Sequence, residues 1–142
     1  MKGRDEINMK YKKSYIGFIL WLISFLILFF LLPFLPIENE ALITRIALNF
    51  MTIYLTVLMY IIYKTENIYW FNGMTYEDAL EAGSQRRKQY AYRHLVHFGI
   101  FSLISLIVSI LLHVFHITYW IDITMICIGV IVTAFSTIKI KL

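Results

Sequence analysis

Cysteine, proline and charged residues are scarce in this sequence, and the shortages exclude several classes of protein. A single cysteine, Cys127, excludes an internal disulfide, a CxxC redox pair and a cysteine-based zinc site within one chain. Charged residues make up 15% of the 142 residues, against about 25% in an ordinary soluble domain. The only two prolines, Pro33 and Pro36, fall together, where they should end the first apolar segment.

Apolar residues are correspondingly abundant. They make up 60% of the chain, against about 45–50% in an ordinary soluble domain. Such a chain is too apolar to be disordered, and with 142 residues it is too short for a multidomain enzyme. The composition therefore predicts an integral membrane protein with a single domain.

Four apolar segments are long enough to cross a membrane as helices, which takes about 20 residues. They cover residues 15–35, 41–63, 95–116 and 120–138. A buried helix of a soluble protein keeps a polar face, and the first segment has no such face. That segment is also longer than the core of a signal peptide, so we expect it to be retained as an anchor. The chain is therefore predicted to be an all-α, polytopic membrane protein.

Short links between the segments set the expected packing. Residues 36–40 and 117–119 each force two neighbouring segments into an antiparallel hairpin. Two hairpins side by side form an up-down four-helix transmembrane bundle, which satisfies every backbone group in lipid. The predicted organisation is a basic arm (1–14), a first hairpin (15–63), an amphipathic loop with a short helix (64–93), and a second hairpin with a basic tail (94–142).

Basic residues accumulate on one predicted side of the membrane. Twelve of the 13 lysines and arginines lie in the arm, the loop and the tail. Arg45 alone lies on the other side, together with acidic residues. Because positive charge marks the cytoplasmic side, both termini are predicted to be cytoplasmic. The Ile- and Lys-rich composition suits a multi-pass protein of the bacterial cell membrane.

The loop carries local helix signals and a basic run. Thr75 and Asp78 have the spacing of a capping box, Gly83 can stop the short helix, and Ser84 can cap the next one. The basic run could bind anionic lipid or a partner, or it could only mark the topology. Nucleic-acid binding is set aside, because the positive charge is juxtamembrane. The residues of the run are Arg86, Arg87, Lys88 and Arg93.

Polar residues recur at helical spacing within the segments and should face the bundle interior. Small residues in such seams allow helices to pack closely. The second segment has Arg45, Asn49, Thr52 and Thr56; the third has Ser102, Ser105, Ser109, His113 and His116; the fourth has Asp122, Gly129, Thr133 and Ser136.

At the end of the bundle that holds Arg45, these seams predict a polar cluster. A lone buried arginine needs a counter-ion, and Asp122 or a loop glutamate is the expected one. The cluster is either an ion pair that locks the two hairpins or a site for an anion, a proton or a small polar ligand. Its predicted members are Arg45, Asn49, His113, His116, Asp122, Glu38 and Glu40.

Metal, haem and catalytic interpretations have little support. His113 and His116 could share a metal with Asp122 or Glu38, but zinc needs three or four well-placed ligands. All four histidines lie on the third helix, so haem would require a dimer. Metalloprotease, nucleophile-elbow and Walker motifs are absent from the sequence. Ser109 lies four residues before His113, a spacing that could suggest acyl chemistry, but a serine hydroxyl bonded to its own helix explains it more simply. We predict no metal, no cofactor and no enzymatic activity.

Three classes of function remain, in decreasing order of support. The first is a non-enzymatic accessory, regulatory or immunity-type subunit that acts through contacts with protein or lipid. The second is a small oligomeric transporter, channel or holin-like pore that uses the polar cluster, and the third is an intramembrane enzyme. Membrane lipids are the expected partners, with a membrane protein or further copies of the chain as alternatives.

Overall fold

A computed structural model describes residues 11–71, 73–138, 140 and 142 of the chain. Within these residues the regular structure consists of four α-helices and two short 3₁₀ turns. Every one of the four helices is long and apolar enough to cross a membrane, which confirms the prediction of an all-helical chain with four membrane-length segments. The helices are α1 (Ile16–Leu31), α2 (Glu40–Thr65), α3 (Tyr76–Val114) and α4 (Tyr119–Ile138).

The basic arm and tail are described only in part. The arm is described from Tyr11 onward, so its predicted basic residues at positions 2, 4 and 10 lie outside the described residues. Lys139 and Lys141 of the tail also lie outside them. The basic positions that can be placed are therefore those near the start of α1 and along the α2–α3 connection.

Local sequence signals set the helix ends. After α1, Pro33 lies in a 3₁₀ turn, Leu32–Phe34, where its missing N–H and fixed φ prevent the α-helix from continuing. Asn39 caps α2, because its side chain accepts a hydrogen bond of 3.0 Å from the Leu42 N–H. α1 and α2 are therefore joined by a short link at the position that the sequence predicts.

α3 is longer than the apolar segment that predicted it, because the short helix of the loop runs into it. The two parts meet at Gly83, whose φ of 75° and ψ of 163° are open to glycine but strained for other residues. The predicted stop at Gly83 is therefore confirmed: the short helix ends at this kink and the long apolar helix continues from it, within the range labelled α3. The hydroxyl of the next residue, Ser84, donates to Glu66 Oε1 at 2.8 Å, in place of the predicted capping contact.

The interior holds polar as well as apolar side chains, and many large apolar side chains lie on the outside. Arg45, Ser105 and Asp122 are buried, whereas Phe30, Leu103 and many other apolar residues are exposed along the helices. Apolar surface of this extent is stable when lipid replaces water around it. The distribution agrees with four helices suited to a membrane.

α2 and α3 share the most extensive interhelical contact, and α4 packs on both of them. α1 lies at the edge, and within it Trp21 is the one buried residue. The Trp21 indole N–H donates to the Tyr54 carbonyl at 3.1 Å, and the rings of Phe25 and Phe50 stack with centroids 5.8 Å apart. Aromatic contacts therefore attach α1 to α2.

α3 and α4 pack closely at Gly129, so a methyl group added there should lower stability more than one added at Gly99. A Cβ at Gly129 would lie 2.2 Å from Cε2 of the Phe101 ring. We expect Gly129→Ala to lower the free energy of unfolding by about 1–3 kcal/mol, since the ring must move out of a packed interface. Gly99→Ala is the matched control, because its Cβ would meet only the Thr56 methyl at 3.8 Å. Thermal unfolding in detergent micelles compares the two variants, and equal stabilities would contradict this account of the interface.

Candidate functional site

The predicted polar seams lie in the bundle interior. Thr52 and Ser102, on facing sides of α2 and α3, are buried and joined by a hydroxyl contact of 3.4 Å. The Thr56 hydroxyl donates to the Phe98 carbonyl at 3.1 Å, which connects the same two helices one turn further along. These bonds are the modest interhelical contacts that small polar residues make in membrane bundles.

Arg45 joins three parts of the fold at one end of the bundle. Its Nε donates to Asp122 Oδ2 of α4 at 3.0 Å, with the two side chains 6% and 0% exposed. Its Nη1 contacts His113 Nδ1 of α3 at 3.1 Å, and its Nη2 donates to the Ile117 carbonyl in the α3–α4 link. One guanidinium therefore ties α2 to α3, to α4 and to the link between them.

The tautomer of His113 follows from this contact. An arginine N–H can only donate, so Nδ1 of His113 must accept and the ring proton must sit on Nε2. His113 is then uncharged, and the positive charge of Arg45 is balanced by Asp122 alone. The group has no net charge, as a low-dielectric interior favours.

Asn49 lies one turn from Arg45 and leaves part of its amide unused. Its Nδ2 donates to the Arg45 carbonyl at 2.9 Å. Within the described part of the chain, three buried oxygens have no hydrogen-bond partner: Asn49 Oδ1, Ser109 Oγ and Asp122 Oδ1. Buried polar atoms usually have partners, so these three oxygens are exceptions within the interior of the bundle.

The other predicted members of the cluster lie apart from it. Glu38, Glu40 and His116 are all exposed. His116 has a φ of 56° in the turn that follows α3, and this turn directs the chain into α4. We call the four residues that the structure does bring together the Arg45 cluster: Arg45, Asn49, His113 and Asp122.

A groove runs along the face between α2 and α3 and begins at the Arg45 cluster. Its first cavity measures about 380 Å³, and a second cavity of about 430 Å³ shares Ile53 and Leu106 with it. The walls are mostly apolar, and several wall residues are exposed on the outside of the bundle. We call this feature the α2–α3 groove. The first cavity is lined by Leu42, Arg45, Ile46, Asn49, Phe50, Ile53, Leu106, Ser109, Ile110 and His113.

Metal binding receives no geometric support from the described ranges of the chain. They contain no group of three or more histidine, cysteine, aspartate or glutamate residues placed to hold an ion. His113 and Asp122 instead share Arg45 as a partner. The cluster is therefore a set of hydrogen-bonding groups around one ion pair.

At the opposite end of the bundle, Arg87 forms a second buried ion pair. It is 2% exposed, and its Nη2 lies 2.9 Å from Glu66 Oε2 while its Nη1 donates to the Ala79 carbonyl at 2.9 Å. From the basic run we predicted that Arg87 contacts lipid or a partner. This prediction is wrong, because the Arg87 side chain is buried inside the protein. Arg86, Lys88 and Arg93 are exposed and can still form such a surface.

Tyr11 covers this ion pair and packs against two further tyrosines. We call the three residues the tyrosine cage: Tyr11, Tyr69 and Tyr76. The Arg87 guanidinium lies 3.9 Å from the centre of the Tyr11 ring, which stacks on Tyr76 at 5.5 Å. The Tyr11 hydroxyl donates to the Glu66 carbonyl at 2.8 Å. Burial raises the pKa of the Tyr11 hydroxyl well above its ordinary value, although the nearby Arg87 opposes this effect.

The cage fixes the N-terminal arm against the α2–α3 connection. Tyr76 donates to the Tyr11 carbonyl at 2.6 Å, and both Tyr69 and Trp70 donate to the Ser14 carbonyl. Sequence reasoning missed this site because Tyr11 lies 55 positions from Glu66 and 65 from Tyr76, beyond any helical period. The available signal was the density of tyrosine beside both juxtamembrane segments.

The capping box at the start of α3 is confirmed and predicts a pH effect. The Thr75 hydroxyl donates to Asp78 Oδ2 at 2.6 Å and holds the pKa of Asp78 below its ordinary value. Because this pKa is lowered, the capping contribution is complete at neutral pH and is lost as the pH falls through the lowered value. We expect Thr75→Val to raise the pKa of Asp78, measured by NMR titration of its carboxyl carbon.

The control for this titration is Thr65→Val, which removes a hydroxyl that bonds within α2. The pKa of Asp78 should be the same in this variant as in the wild type. An unchanged pKa in Thr75→Val would show that the hydroxyl does not hold the carboxylate.

Comparison of the chain with protein-family models, with curated proteins and with solved structures finds no match in any of the three. The function must therefore be argued from the Arg45 cluster, the α2–α3 groove and the exposed basic residues themselves.

Proposed function

We propose that the protein is a multi-pass protein of the bacterial cell membrane that acts, without enzymatic activity, as an accessory, regulatory or immunity-type subunit through contacts with protein or lipid. In this proposal the four helices cross the bilayer as two antiparallel hairpins in an up-down bundle. Both termini and the α2–α3 connection lie in the cytoplasm.

Charge distribution supports the proposed orientation. Exposed basic residues near the tyrosine cage include Lys12, Lys64 and Arg93. The other end carries Glu38 in the link between α1 and α2, and Glu40 at the start of α2. Lysine and arginine are retained on the cytoplasmic side during insertion. The cage end is therefore the cytoplasmic end, and the Arg45 cluster lies near the outer surface.

The observation that carries the proposed function is the internal pairing of Arg45. Asp122, His113 and the Ile117 carbonyl occupy its guanidinium, so this charge serves to hold helices together. A transport role through the cluster would require this buried pair to open, which would leave two charges inside the bundle without their partners. The surfaces that remain free to contact protein or lipid are the apolar outside of the bundle and the exposed basic residues.

The exposed basic residues form a small concave site on α3. A cavity of about 190 Å³ is lined by Arg86, Gln89, Tyr90, Arg93 and Leu142. Two arginines seven residues apart lie on one face of the helix and can hold a phosphate or carboxylate group between them. An anionic lipid head group or an acidic segment of a partner protein fits this chemistry.

The experiment reverses the charge of two residues at this site and of two residues at a control site. We expect Arg86→Glu with Arg93→Glu to reduce the anionic lipid or partner protein that stays bound during purification, measured by native mass spectrometry. Attraction near the surface amounts to about 1 kcal/mol for each basic side chain, so the double reversal should lower affinity by more than about tenfold. The control is Lys12→Glu with Lys13→Glu, which changes the same charge on the arm. If both double variants lose the same amount of bound lipid or partner, the binding reflects general charge attraction and not a site at Arg86 and Arg93.

A further inference from the structure

The small basic cavity on α3 lies between two parts of the fold. One side is formed by a single face of α3, where Arg86, Gln89, Tyr90 and Arg93 recur at helical spacing. The other side is formed by Leu142, which follows α4 in the sequence, is partly buried and packs against the hydrophobic core. We call this feature the arginine cavity. Because two segments form its walls, it is a concave site and more than a stretch of helix surface.

The positive charge of the arginine cavity is unbalanced. Glu66 pairs with Arg87 and Lys88, the other two members of the basic run. Among the residues that the structure describes, no carboxylate pairs with Arg86 or Arg93. Arginine keeps its charge at every physiological pH. The cavity therefore presents two positive charges that a bound anion can neutralise.

The size and the donors of the cavity favour a compact oxyanion. Its volume of about 190 Å³ is below the range of about 300–1,000 Å³ that is usual for small-molecule pockets. Guanidinium groups form paired hydrogen bonds with phosphate, and the amide of Gln89 offers two uncharged donors beside them. A phosphate monoester carries a charge of about −1.5 to −2 at neutral pH, which matches two arginines better than the single charge of a phosphodiester.

The depth of the cavity favours lipid as the source of the phosphate. Arg93 lies two residues before the apolar segment 95–116, so in the proposed membrane setting the cavity lies among the lipid head groups. The neighbouring Tyr92 is exposed at the same level, as aromatic residues at a membrane interface commonly are. In the proposed orientation this is the cytoplasmic leaflet, whose anionic lipids attract basic side chains. A head group can therefore enter the cavity while its acyl chains stay in the bilayer.

We propose that the arginine cavity binds the phosphate monoester head group of an anionic phospholipid, of which phosphatidate is the simplest example. Arg86 and Arg93 bond to the phosphate oxygens, and Gln89 adds an uncharged donor. The inference rests on the proposed function and deepens it, because it names the chemical class of one lipid contact. The protein then distinguishes lipids by the charge of the head group.

The test uses the full chain in nanodiscs of uncharged phospholipid that contain a small fraction of one anionic lipid. The first probe is phosphatidate, and the comparison probe is phosphatidylmethanol, whose extra methyl group turns the monoester into a diester with one charge. Phosphatidylmethanol is added at twice the molar fraction, so that the surface charge is about equal. We expect native mass spectrometry to show phosphatidate bound about tenfold more tightly, since each charge-assisted bond to the monoester is stronger.

Four single variants locate the binding site. Arg86→Gln and Arg93→Gln each remove one charge from the cavity and should each weaken the binding of phosphatidate about fivefold. Lys12→Gln and Lys13→Gln remove the same charge from the arm, outside the cavity, and are the matched controls. All four side chains are exposed, so the variants should fold like the wild type, which circular dichroism in the nanodiscs checks.

Two soluble competitors identify the source of the ligand. Glycerol 3-phosphate carries the same monoester without acyl chains, and a hexa-aspartate peptide represents an acidic segment of a partner protein. We expect neither to displace phosphatidate at equal concentration. Displacement by the first would make a soluble phosphate the ligand, and displacement by the second would make a protein the ligand; either result would overturn the inference.

Equal binding of phosphatidate and phosphatidylmethanol would also overturn it, as would equal losses in the cavity and arm variants. Failure of the proposed lipid contact gives a different pattern. If the two lipids bind equally and both depend on Arg86 and Arg93, the monoester is rejected and the lipid contact is retained. If neither lipid depends on these arginines, the contact itself is rejected.

Discussion

Replacing Asp122 with alanine is expected to lower the free energy of unfolding by about 3–5 kcal/mol, one of the two largest effects predicted for this chain. Asp122 is fully buried and accepts from Arg45 Nε at 3.0 Å. Without it the guanidinium remains inside the bundle with only neutral partners, and its charge is uncompensated. The measurement is reversible unfolding in mixed micelles, followed by circular dichroism.

Two further variants identify the cause of this loss. Glu40→Ala removes an exposed carboxylate at the same end of the bundle and should change stability by less than about 0.5 kcal/mol. Arg45→Met with Asp122→Leu removes both charges and should recover most of the loss, because apolar side chains replace a buried pair at little net cost. A double variant no more stable than Asp122→Ala would show that the pair contributes by packing and not by charge compensation.

Replacing Arg87 with alanine is expected to cost about 3 kcal/mol and to release the N-terminal arm. The substitution removes the ion pair with Glu66, the bond to the Ala79 carbonyl and the support beneath the Tyr11 ring. The arm is then held by fewer contacts, so local opening of the tyrosine cage becomes more frequent. Unfolding in micelles measures the first effect.

Trypsin measures the release of the arm, because Lys12 and Lys13 lie next to Tyr11. Cleavage of a briefly opened segment follows its population, so a loss of about 3 kcal/mol raises the rate by up to about a hundredfold. Arg86→Ala is the matched control, since it removes an exposed arginine next in the sequence. Similar cleavage rates in both variants would contradict a structural role for the cage.

The helices could be predicted from the sequence because their signals are local. Apolar runs of membrane length, the prolines after α1 and the Thr75–Asp78 capping box each act within a few residues. The burial of Thr52, Ser105 and other seam residues also follows from a 3.6-residue period. The spacing in the sequence shows which residues share a helix face, even when the contacts of that face are unknown.

The neighbours of each face could not be predicted, because they depend on the tertiary arrangement. Nothing local distinguishes Arg87 from Arg86, although one is buried against Glu66 and the other is exposed. The same limit applies to the Arg45 cluster, where His113 is included and His116 is directed away by the turn after α3. Charge pairing between distant segments depends on helix rotation and depth, which composition does not determine.

The separation of Arg45 from Asp122 has a consequence for biosynthesis. The two residues are 77 positions apart, and each lies on a different helix. A ribosome that adds about 5–20 residues per second produces the second roughly 4–15 seconds after the first. During that interval Arg45 lacks the carboxylate that balances its charge. A chain that lacks α4 would therefore hold Arg45 without its counter-ion.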